Sequence, residues 1–457
     1  MEDVESVIMN KVQMRSRDKE TRVNNFSEVN LGYNKEEAQK EANRCLNCQN
    51  PRCVKGCPIG IKIPKFIEAI KNDDINLAYE IIREDNLFPG ICGRVCPQEK
   101  QCESMCIKGF KGDAISIGSL ERYVSDEAIK NNIKIDNKKK SNGKTVAIVG
   151  SGPSGLACAS ILQSEGFSVT IYESLHKAGG VLTYGIPEFR LPKKIVDKEI
   201  EALVDLGVKF VFNAPIGLSF SITELKSKYD AVYLATGAGL PRFMGIKNEC
   251  ANGVFSANEV LTRINLMGAY NRESKTPVYE AKRVVVVGCG NVAIDAARSL
   301  RRMGASVSIV YRRSELEAPA RKEEIKHAKE EGIEFLYLTN PKEIIVENNE
   351  VVGMEVSLME LIDDGTERRS VKEIQNAIKK IDCDMVVMAL GTMPNSLILN
   401  DSNIKTDTYG LILVDDTKTN IDRVYAGGDA VTGAATVILA YEAGKKAALK
   451  IIDDISI

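Results

Sequence analysis

A strand, a glycine-rich turn, a helix and a second strand occur in this order twice in the chain, and this repeat constrains the fold most. The first copy, residues 145–173, reads TVAIVG, a glycine turn, a helical run and FSVTIYE. The second, residues 283–313, reads RVVVVG, the turn GCGNVA, a helical run and ASVSIVYRR. Each copy predicts a βαβ unit with two parallel strands.

The pattern after the second copy indicates how the two units are connected. Strand-like runs return at residues 385–391, 411–415 and 424–429, and a long helical run closes the chain. Such a return predicts that the second nucleotide-binding domain is inserted into the first. The predicted fold class is therefore α/β, with two Rossmann-like domains preceded by a helical N-terminal domain.

The first glycine turn, residues 150–155, has the pattern G-x-G-x-x-G of a dinucleotide site. The first glycine permits the tight turn, the second lets the backbone approach a pyrophosphate, and the third lets the helix pack close to the strand. A carboxylate ends the next strand, where it can accept hydrogen bonds from ribose hydroxyls. A purely structural glycine turn is the alternative. The predicted ligands are Gly150, Gly152, Pro153, Ser154, Gly155 and Glu173.

The second turn, residues 288–293, ends on alanine, and its unit ends differently. Where an NAD site has a carboxylate, this unit has two arginines. Guanidinium groups bind a 2′-phosphate through charge-assisted hydrogen bonds, so the site is predicted to prefer NADPH to NADH. A solvated strand end is the alternative. The predicted ligands are Gly288, Gly290, Asn291, Val292, Arg312, Arg313 and Arg321.

Two different strand ends indicate two different nucleotides, and the first site is predicted to hold FAD. Asp429 can bind the ribityl or pyrophosphate region, unless it is only a loop cap. A helix beginning near Ala435 would direct its N-terminus at the isoalloxazine, where partial positive charge stabilises reduced flavin. The further predicted cofactor ligands are Gly180, Leu182, Arg190, Gly391, Gly428 and Thr436.

No protein acid, base or disulfide is predicted to carry the chemistry. The chain has only two histidines, and Cys158 and Cys289 have no cysteine at redox spacing, so both are interpreted as packing residues. We therefore expect no catalytic side chain and assign the reaction to the bound flavin.

The other cysteines form two dense sets near the N-terminus. The sets are Cys45-x2-Cys48-x4-Cys53-x3-Cys57-Pro and Cys92-x3-Cys96-Pro-x4-Cys102-x3-Cys106. Four cysteines within about 15 residues, with a Cys-Pro in each set, favour two [4Fe–4S] clusters. Zinc bound by four cysteines is the alternative.

Length and charge limit the number of domains and the kinds of partner that are expected. At 457 residues, about three domains are expected. The predicted divisions are a cluster domain at 1–140, the FAD domain at 145–250 and 385–457, and the NADPH domain at 251–384. A net charge of −2 argues against nucleic acid or a membrane as partner. An acidic, polar start and the lack of a long apolar run lead us to expect a cytoplasmic protein.

The motifs RCLNCQNPRCVKGCP, CGRVCPQEKQCE, GSGPSGLACA, GGVLTYGIPEFRLPK, YRR and AGGD together resemble a known family. It comprises the small subunit of NADPH-dependent glutamate synthase and the large subunit of NADH-dependent reduced ferredoxin:NADP oxidoreductase. The resemblance covers nearly the whole chain. It implies an adrenodoxin-reductase type of arrangement, in which an N-terminal cluster domain precedes the FAD and NADPH domains.

The resemblance also implies that the cysteine sets are interleaved. One cluster would take Cys45, Cys48, Cys53 and Cys106. The other would take Cys57, Cys96, Cys102 and a carboxylate at Glu121, which leaves Cys92 spare. From spacing alone, Glu121 is an ordinary surface residue.

The same resemblance implies electron flow from NADPH through FAD and the clusters to a partner. The partner would be a glutamate synthase large subunit, or a small flavoprotein with ferredoxin if the flavin bifurcates electrons. The run CVKGCPIGIKI is slightly more similar to the ferredoxin-linked branch. A nucleotide-binding redox sensor without turnover would need a damaged site, and none of the glycine, arginine or Asp429 positions is missing.

Overall fold

The structure is a computed structural model that describes residues 10–134, 139–271, 273–366, 368–399 and 402–455. Residues 135–138, which precede the first βαβ unit, lie outside these ranges. Of the helices in the described ranges, none combines the length and the apolar character that crossing a bilayer requires.

The N-terminal part is helical apart from one pair of strands, β1 (Arg15–Ser16) and β2 (Asn30–Gly32). The helix Ile63–Lys71 is amphipathic, and its apolar face is buried against neighbouring helices. The helices of this part are Lys19–Arg22, Lys35–Asn43, Arg52–Gly56, Ile63–Lys71, Ile75–Arg83, Pro89–Val95 and Ile117–Lys130. The prediction of a helical N-terminal domain is confirmed.

The rest of the chain alternates strands and helices. The strands are β3 (Thr145–Val149), β4 (Ser168–Tyr172), β5 (Lys209–Val211), β6 (Ala231–Leu234), β7 (Leu240–Pro241), β8 (Val254–Ser256), β9 (Arg283–Val287), β10 (Ser306–Tyr311), β11 (Glu334–Tyr337), β12 (Thr339–Glu347), β13 (Glu350–Ile362), β14 (Ser370–Asp382), β15 (Met385–Met388), β16 (Thr392–Met393) and β17 (Val424–Ala426). The α-helices are Pro153–Ser164, Val181–Tyr184, Lys193–Leu206, Ile222–Lys228, Ala257–Leu261, Asn291–Arg302, Lys322–Glu330, Asp429–Thr432 and Val437–Ile455.

These strands form two parallel five-stranded sheets of matching order. The first is β17-β6-β3-β4-β5 and the second is β8-β15-β9-β10-β11. In each sheet the predicted βαβ pair occupies the third and fourth positions. Their central strands are short runs of apolar residues that are buried on both faces, as parallel sheets require. The prediction of two Rossmann-like units is confirmed.

The chain crosses between the two units at β7 and β16, which pair with each other antiparallel. The first sheet takes β3–β6 before the crossing and β17 after the return, so the second unit is inserted into the first. The run at 385–391 was expected to begin the returning part of the first unit, and this is wrong. Its strand β15 pairs with β8 and β9, because its four buried apolar residues extend the valine-rich second sheet.

Two further features of the fold differ from the expectation or add to it. The run at 411–415 forms only isolated bridges, because Leu413 is half exposed and no neighbouring strand continues the pairing. Strands β12, β13 and β14 form an antiparallel sheet of their own that the repeat did not predict.

Candidate functional site

The first glycine turn has the geometry of a dinucleotide-binding turn. Gly150 has φ +102°, and a Cβ at Gly155 would collide with the Gly150 carbonyl oxygen. By contrast, a Cβ at Gly152 would have no heavy atom within 4 Å. The helix opens on Pro153, whose missing N–H costs nothing there. The turn therefore leaves open space beside Gly152, where the pyrophosphate of a dinucleotide is expected.

Glu173 lies directly beside this turn. It is buried, and its carboxylate accepts hydrogen bonds from the backbone N–H groups of Ser151, at 2.9 Å, and Leu175, at 2.8 Å. The carboxylate is therefore held at the end of β4 in a fixed orientation. Its predicted role as an acceptor for ribose hydroxyls stays a prediction.

Glycines from two other segments close around the same turn. A Cβ at Gly180 would lie 2.9 Å from the Gly152 Cα, and one at Gly428 would lie 2.9 Å from the Ser154 Cβ. Leu182, in contrast, has its side chain fully buried in the core. The structure thus brings the predicted glycines and Ser154 together at one end of the first sheet.

Asp429 follows Gly428 and is available to a ligand. Burial raises the pKa of its carboxyl to about 6, against a backbone hydrogen bond from Ala435 that lowers it. The helix predicted to begin near Ala435 begins at Val437, and Thr436 Oγ1 accepts a 3.4 Å hydrogen bond from the Leu439 N–H. The Asp429 carboxyl and the N-terminus of this 19-residue helix therefore lie near the first turn.

The second turn repeats the arrangement of the first. Gly288 has φ +121°, while a Cβ at Gly290 would meet only Pro319 Cγ, at 3.9 Å. Val292 is 42% exposed next to this gap, and Gly391 is open to it from the end of β15. Asn291 accepts a hydrogen bond from the Arg321 N–H at 3.0 Å, which ties the turn to the following loop.

Two of the predicted arginines lie at the end of β10. Arg312 is exposed and forms no ion pair with the described residues, and the Nε of Arg313 donates to the Arg369 carbonyl at 2.8 Å. Their predicted contact with a 2′-phosphate stays a prediction.

Two other predicted ligands are directed elsewhere. The Arg321 guanidinium donates to the Arg94 carbonyl, at 3.1 Å, and to Gln98 Oε1, at 2.9 Å, so it joins the NADPH domain to the cluster domain. Arg190 is buried against the Asp295 carboxylate at 2.6 Å. Each guanidinium is held by protein partners at a domain interface, and the roles of Arg190 and Arg321 as cofactor ligands stay predictions.

The first cluster cavity is surrounded by four thiols. Leu46, Ile63 and Ile107 supply apolar wall between them. Burial raises the pKa of the Cys53 thiol to about 11, so a bound cation is needed to deprotonate it near neutral pH. The thiols that line this cavity are Cys45, Cys48, Cys53 and Cys106.

The second cluster cavity contains the other set together with two candidates for its fourth ligand. It is lined by Cys57, Cys96, Cys102, Cys92 and Glu121. Asn86 donates to Glu121 Oε1 at 2.6 Å, and the Cys92 thiol donates to Asn86 Oδ1 at 3.7 Å. The structure thus brings together the interleaved sets that the resemblance implies, with Cys92 next to the second set.

Glu121 is not the surface residue that its spacing suggests. It is 6% exposed, and burial raises the pKa of its carboxyl to about 8 despite the hydrogen bond from Asn86. A carboxyl of this kind stays protonated near neutral pH unless a cation replaces the proton. Its position in a wall of thiols therefore favours the ligand role.

Thiols line the walls of both cavities. A cluster with an iron at each of four corners takes four such ligands, one for each iron. The residues present fit [4Fe–4S] clusters.

Changing Glu121 to alanine is expected to lower the iron content from about eight to about four per chain, because the second cluster would lose a ligand. Cys92→Ser is expected to leave the iron content unchanged. Glu121→Gln, which keeps a carbonyl oxygen at this position, is the matched control. Iron and sulfide analysis with electron paramagnetic resonance measures all three. Loss of iron in Cys92→Ser but not in Glu121→Ala would assign the fourth ligand to Cys92.

Comparisons with known proteins agree with this geometry. Residues 22–133 match the family described as dihydropyrimidine dehydrogenase domain II, 4Fe-4S cluster, and residues 144–444 match pyridine nucleotide-disulphide oxidoreductase. The glutamate synthase [NADPH] small chain of Escherichia coli is 35% identical over 93% of this chain and 92% of its own length. The NADPH-Fe(3+) oxidoreductase subunit beta of Geobacter sulfurreducens is 35% identical over 88% of this chain and 63% of its own.

A solved structure supports the fold. FprA of Mycobacterium tuberculosis in complex with NADPH superposes with a TM-score of 0.59 at 22% identity, over 68% of this chain and 84% of its own. Fold and site together define a flavin-dependent NADPH oxidoreductase with iron–sulfur clusters. The chain belongs to the family of the glutamate synthase [NADPH] small chain. Its cofactors are FAD, NADPH and [4Fe–4S] clusters. No disulfide joins cysteines of the described residues, and Cys158 and Cys289 are buried.

Two polar residues at the second cavity have no recognisable signal in the sequence. Asn86 is completely buried and links Cys92 to Glu121. Gln98 lines the cavity and accepts from Arg321. Both are single amides at spacings that match no motif, and only the packing of the helices reveals them.

Proposed function

We propose that electrons from NADPH travel through FAD, then the second cluster, then the first cluster, and leave to a partner redox subunit at the surface. The observation that carries this order is the way the cavities share walls. Ile438, on the helix that begins beside Asp429, lines the second cavity. Ile63 and Ile117 line both cavities, so the two sites are neighbours.

The first cavity supplies the exit. Its wall includes Leu46, which is 60% exposed, and Ile107, which is 40% exposed. Phe110 next to them is 69% exposed, with the Arg52 guanidinium 5.6 Å above its ring. An apolar surface of this kind with basic residues fits a redox partner whose docking face is acidic.

The residues of this chain bind and orient rather than donate or accept protons. When bound, FAD supplies hydride acceptance from the nicotinamide and release of single electrons, and the clusters carry those electrons. The open space at Gly152 and Gly290 admits the two pyrophosphates. Glu173 and Asp429 are held beside the first turn by backbone donors. Geometry of this kind fixes the distance and angle on which hydride transfer depends.

Rapid mixing with NADPH under anaerobic conditions tests the order. The flavin is expected to be reduced first, and both clusters afterwards. In Cys102→Ser the flavin is still expected to be reduced, while the first cluster stays oxidised because its neighbour is missing. In Cys48→Ser the flavin and the second cluster are expected to be reduced normally. Fast reduction of the first cluster in Cys102→Ser would contradict the order, and an unreduced flavin in the wild type would contradict the activity.

The identity of the partner is a finer proposal. A large glutamate synthase subunit is supported by the similarity to the glutamate synthase [NADPH] small chain. A small flavoprotein with ferredoxin is supported by the sequence CVKGCPIGIKI at residues 53–63. Purification from the native cell distinguishes them by which protein accompanies this chain.

Free thiols throughout the chain support a reducing compartment, and we place the protein in the cytoplasm.

A further inference from the structure

The antiparallel hairpin of β13 and β14 brings a second pair of arginines to the NADPH site. The loop that joins these strands ends on Arg368 and Arg369, immediately before β14 begins. The Arg368 guanidinium donates to Tyr311 Oη at 3.3 Å, and Tyr311 is the last residue of β10. The hairpin therefore reaches the strand end at which a dinucleotide fold places the adenosine ribose.

A second contact fixes the loop at this place. Arg369 pairs with the Glu317 carboxylate at 2.6 Å, and its carbonyl oxygen accepts from Arg313 Nε at 2.8 Å. Glu317 is itself held by the Ser314 N–H at 3.1 Å. Arg313 is thus oriented by the hairpin rather than by its own strand.

The charges at this strand end favour an anion. Arg313 bonds the Arg369 carbonyl, Arg368 bonds Tyr311, and Arg312 lies between Tyr311 and Arg313 in the chain. Among these four arginines, only Arg369 has a carboxylate partner in the described residues. The nearby Asp364 is engaged within the loop, where Ser370 N–H donates to it at 3.1 Å and the Thr366 N–H also donates at 3.1 Å. Guanidinium groups left with free donors at one point match the three oxygens of a phosphate monoester.

We propose that Arg368 binds the 2′-phosphate of NADPH together with Arg312 and Arg313, and that Arg369 positions Arg313 for this contact. Discrimination between NADPH and NADH then depends on a hairpin that lies outside the βαβ unit. The inference rests on the use of NADPH by this chain, and its test separates the two claims.

The test compares Arg368→Ala with the wild type for both nucleotides. The KM for NADPH is expected to rise about 10-fold or more, with kcat and the KM for NADH unchanged, because one charge-assisted hydrogen bond to the phosphate is lost. The inhibition constant of 2′,5′-ADP is expected to rise by the same factor, and that of 5′-AMP to stay constant. Arg369→Ala is expected to raise the KM for NADPH less, again without changing kcat.

Two controls distinguish the role of Arg368 from the general use of NADPH by this chain. Lys379→Ala removes one positive charge from the exposed far end of β14 and is expected to change neither KM. The double variant Arg312→Ala, Arg313→Ala is expected to weaken NADPH selectively. If the double variant does so and Arg368→Ala does not, the hairpin has no role although the NADPH site stands. Equal losses for NADPH and NADH in Arg368→Ala would also overturn the inference.

Discussion

In the Cys106→Ser variant, about half of the iron is expected to be lost, and the lost cluster is the one that Cys45, Cys48 and Cys53 help to hold. Cys106 stands only four residues after Cys102 in the chain, yet it lines the other cavity. A serine at this position offers a weaker ligand for iron than a thiolate. Iron and sulfide analysis of the purified variant measures the loss, and Cys250→Ser, at an exposed cysteine outside both cavities, is the control.

Pairs of variants show which cysteines share a cluster. Cys106→Ser combined with Cys48→Ser is expected to lose no more iron than either change alone, because both remove the same cluster. Cys106→Ser combined with Cys102→Ser is expected to lose nearly all of the iron, because each removes a different one. The opposite result, with no further loss when Cys102 and Cys106 are changed together, would show that the sets follow the order of the sequence.

This interleaving illustrates what the sequence could and could not predict about the site. Each cysteine was identified from the sequence, because thiolates at short spacing with a following proline are a local signal. Which cysteines meet depends on how the helices Arg52–Gly56, Pro89–Val95 and Ile117–Lys130 pack. Packing of that kind has no local signal, and only the resemblance to a family indicated it before the structure did.

The arginines show the same division. Arg312 and Arg313 were predicted correctly to lie at the strand end, because the position that follows a βαβ unit is set by local geometry. Arg190 and Arg321 were assigned to cofactors on proximity in the sequence, and both are held at domain interfaces. The contribution of Arg368 could not be predicted, since a hairpin 57 residues away brings it to Tyr311.

The strands follow a similar rule. The runs 145–150 and 283–288 were predicted as strands of two sheets, since each is followed directly by a glycine turn. The run at residues 385–391 is not followed by a glycine turn of this kind. Whether it joined the first sheet or the second depended on the crossing at β16, which lies after it.

A buried network of ion pairs between the domains is expected to contribute strongly to the stability of the protein. Glu331 is completely buried and accepts hydrogen bonds from three guanidinium groups on two segments of the chain. Arg22 Nε donates at 2.9 Å from the N-terminal domain, and Arg298 and Arg302 each donate at 2.7 Å from the helix after the second glycine turn. The Arg302 guanidinium also lies 3.9 Å from the centre of the Phe189 ring in the FAD domain. One carboxylate thus neutralises part of the positive charge at the place where three domains meet.

Glu331→Gln is expected to lower the free energy of unfolding by about 3 kcal/mol or more at pH 7. The change removes the carboxylate partner of Arg302 and one of the two carboxylates that pair with each of Arg22 and Arg298. Glu330→Gln is the matched control. Its carboxylate bonds the same Arg22 at 2.7 Å but is 35% exposed, and the loss is expected to stay below about 1 kcal/mol. Unfolding of the two variants and the wild type, compared at equal cofactor occupancy, measures both differences. Equal losses in the two variants would contradict the role of the buried carboxylate.

The pH dependence gives an independent measure of the same network. Burial alone would raise the pKa of Glu331, but the hydrogen bonds from Arg298 and Arg302 outweigh it and hold the pKa well below its usual value of 4.5. A carboxyl whose pKa is lowered by folding stabilises the protein fully above its unfolded pKa, and this contribution is lost as the pH falls towards the folded value. The difference between the wild type and Glu331→Gln is therefore expected to be constant from pH 8 to about pH 5.5 and to narrow below about pH 4.5. A difference that does not change with pH would show that the glutamine acts through packing, with the charge of Glu331 contributing nothing.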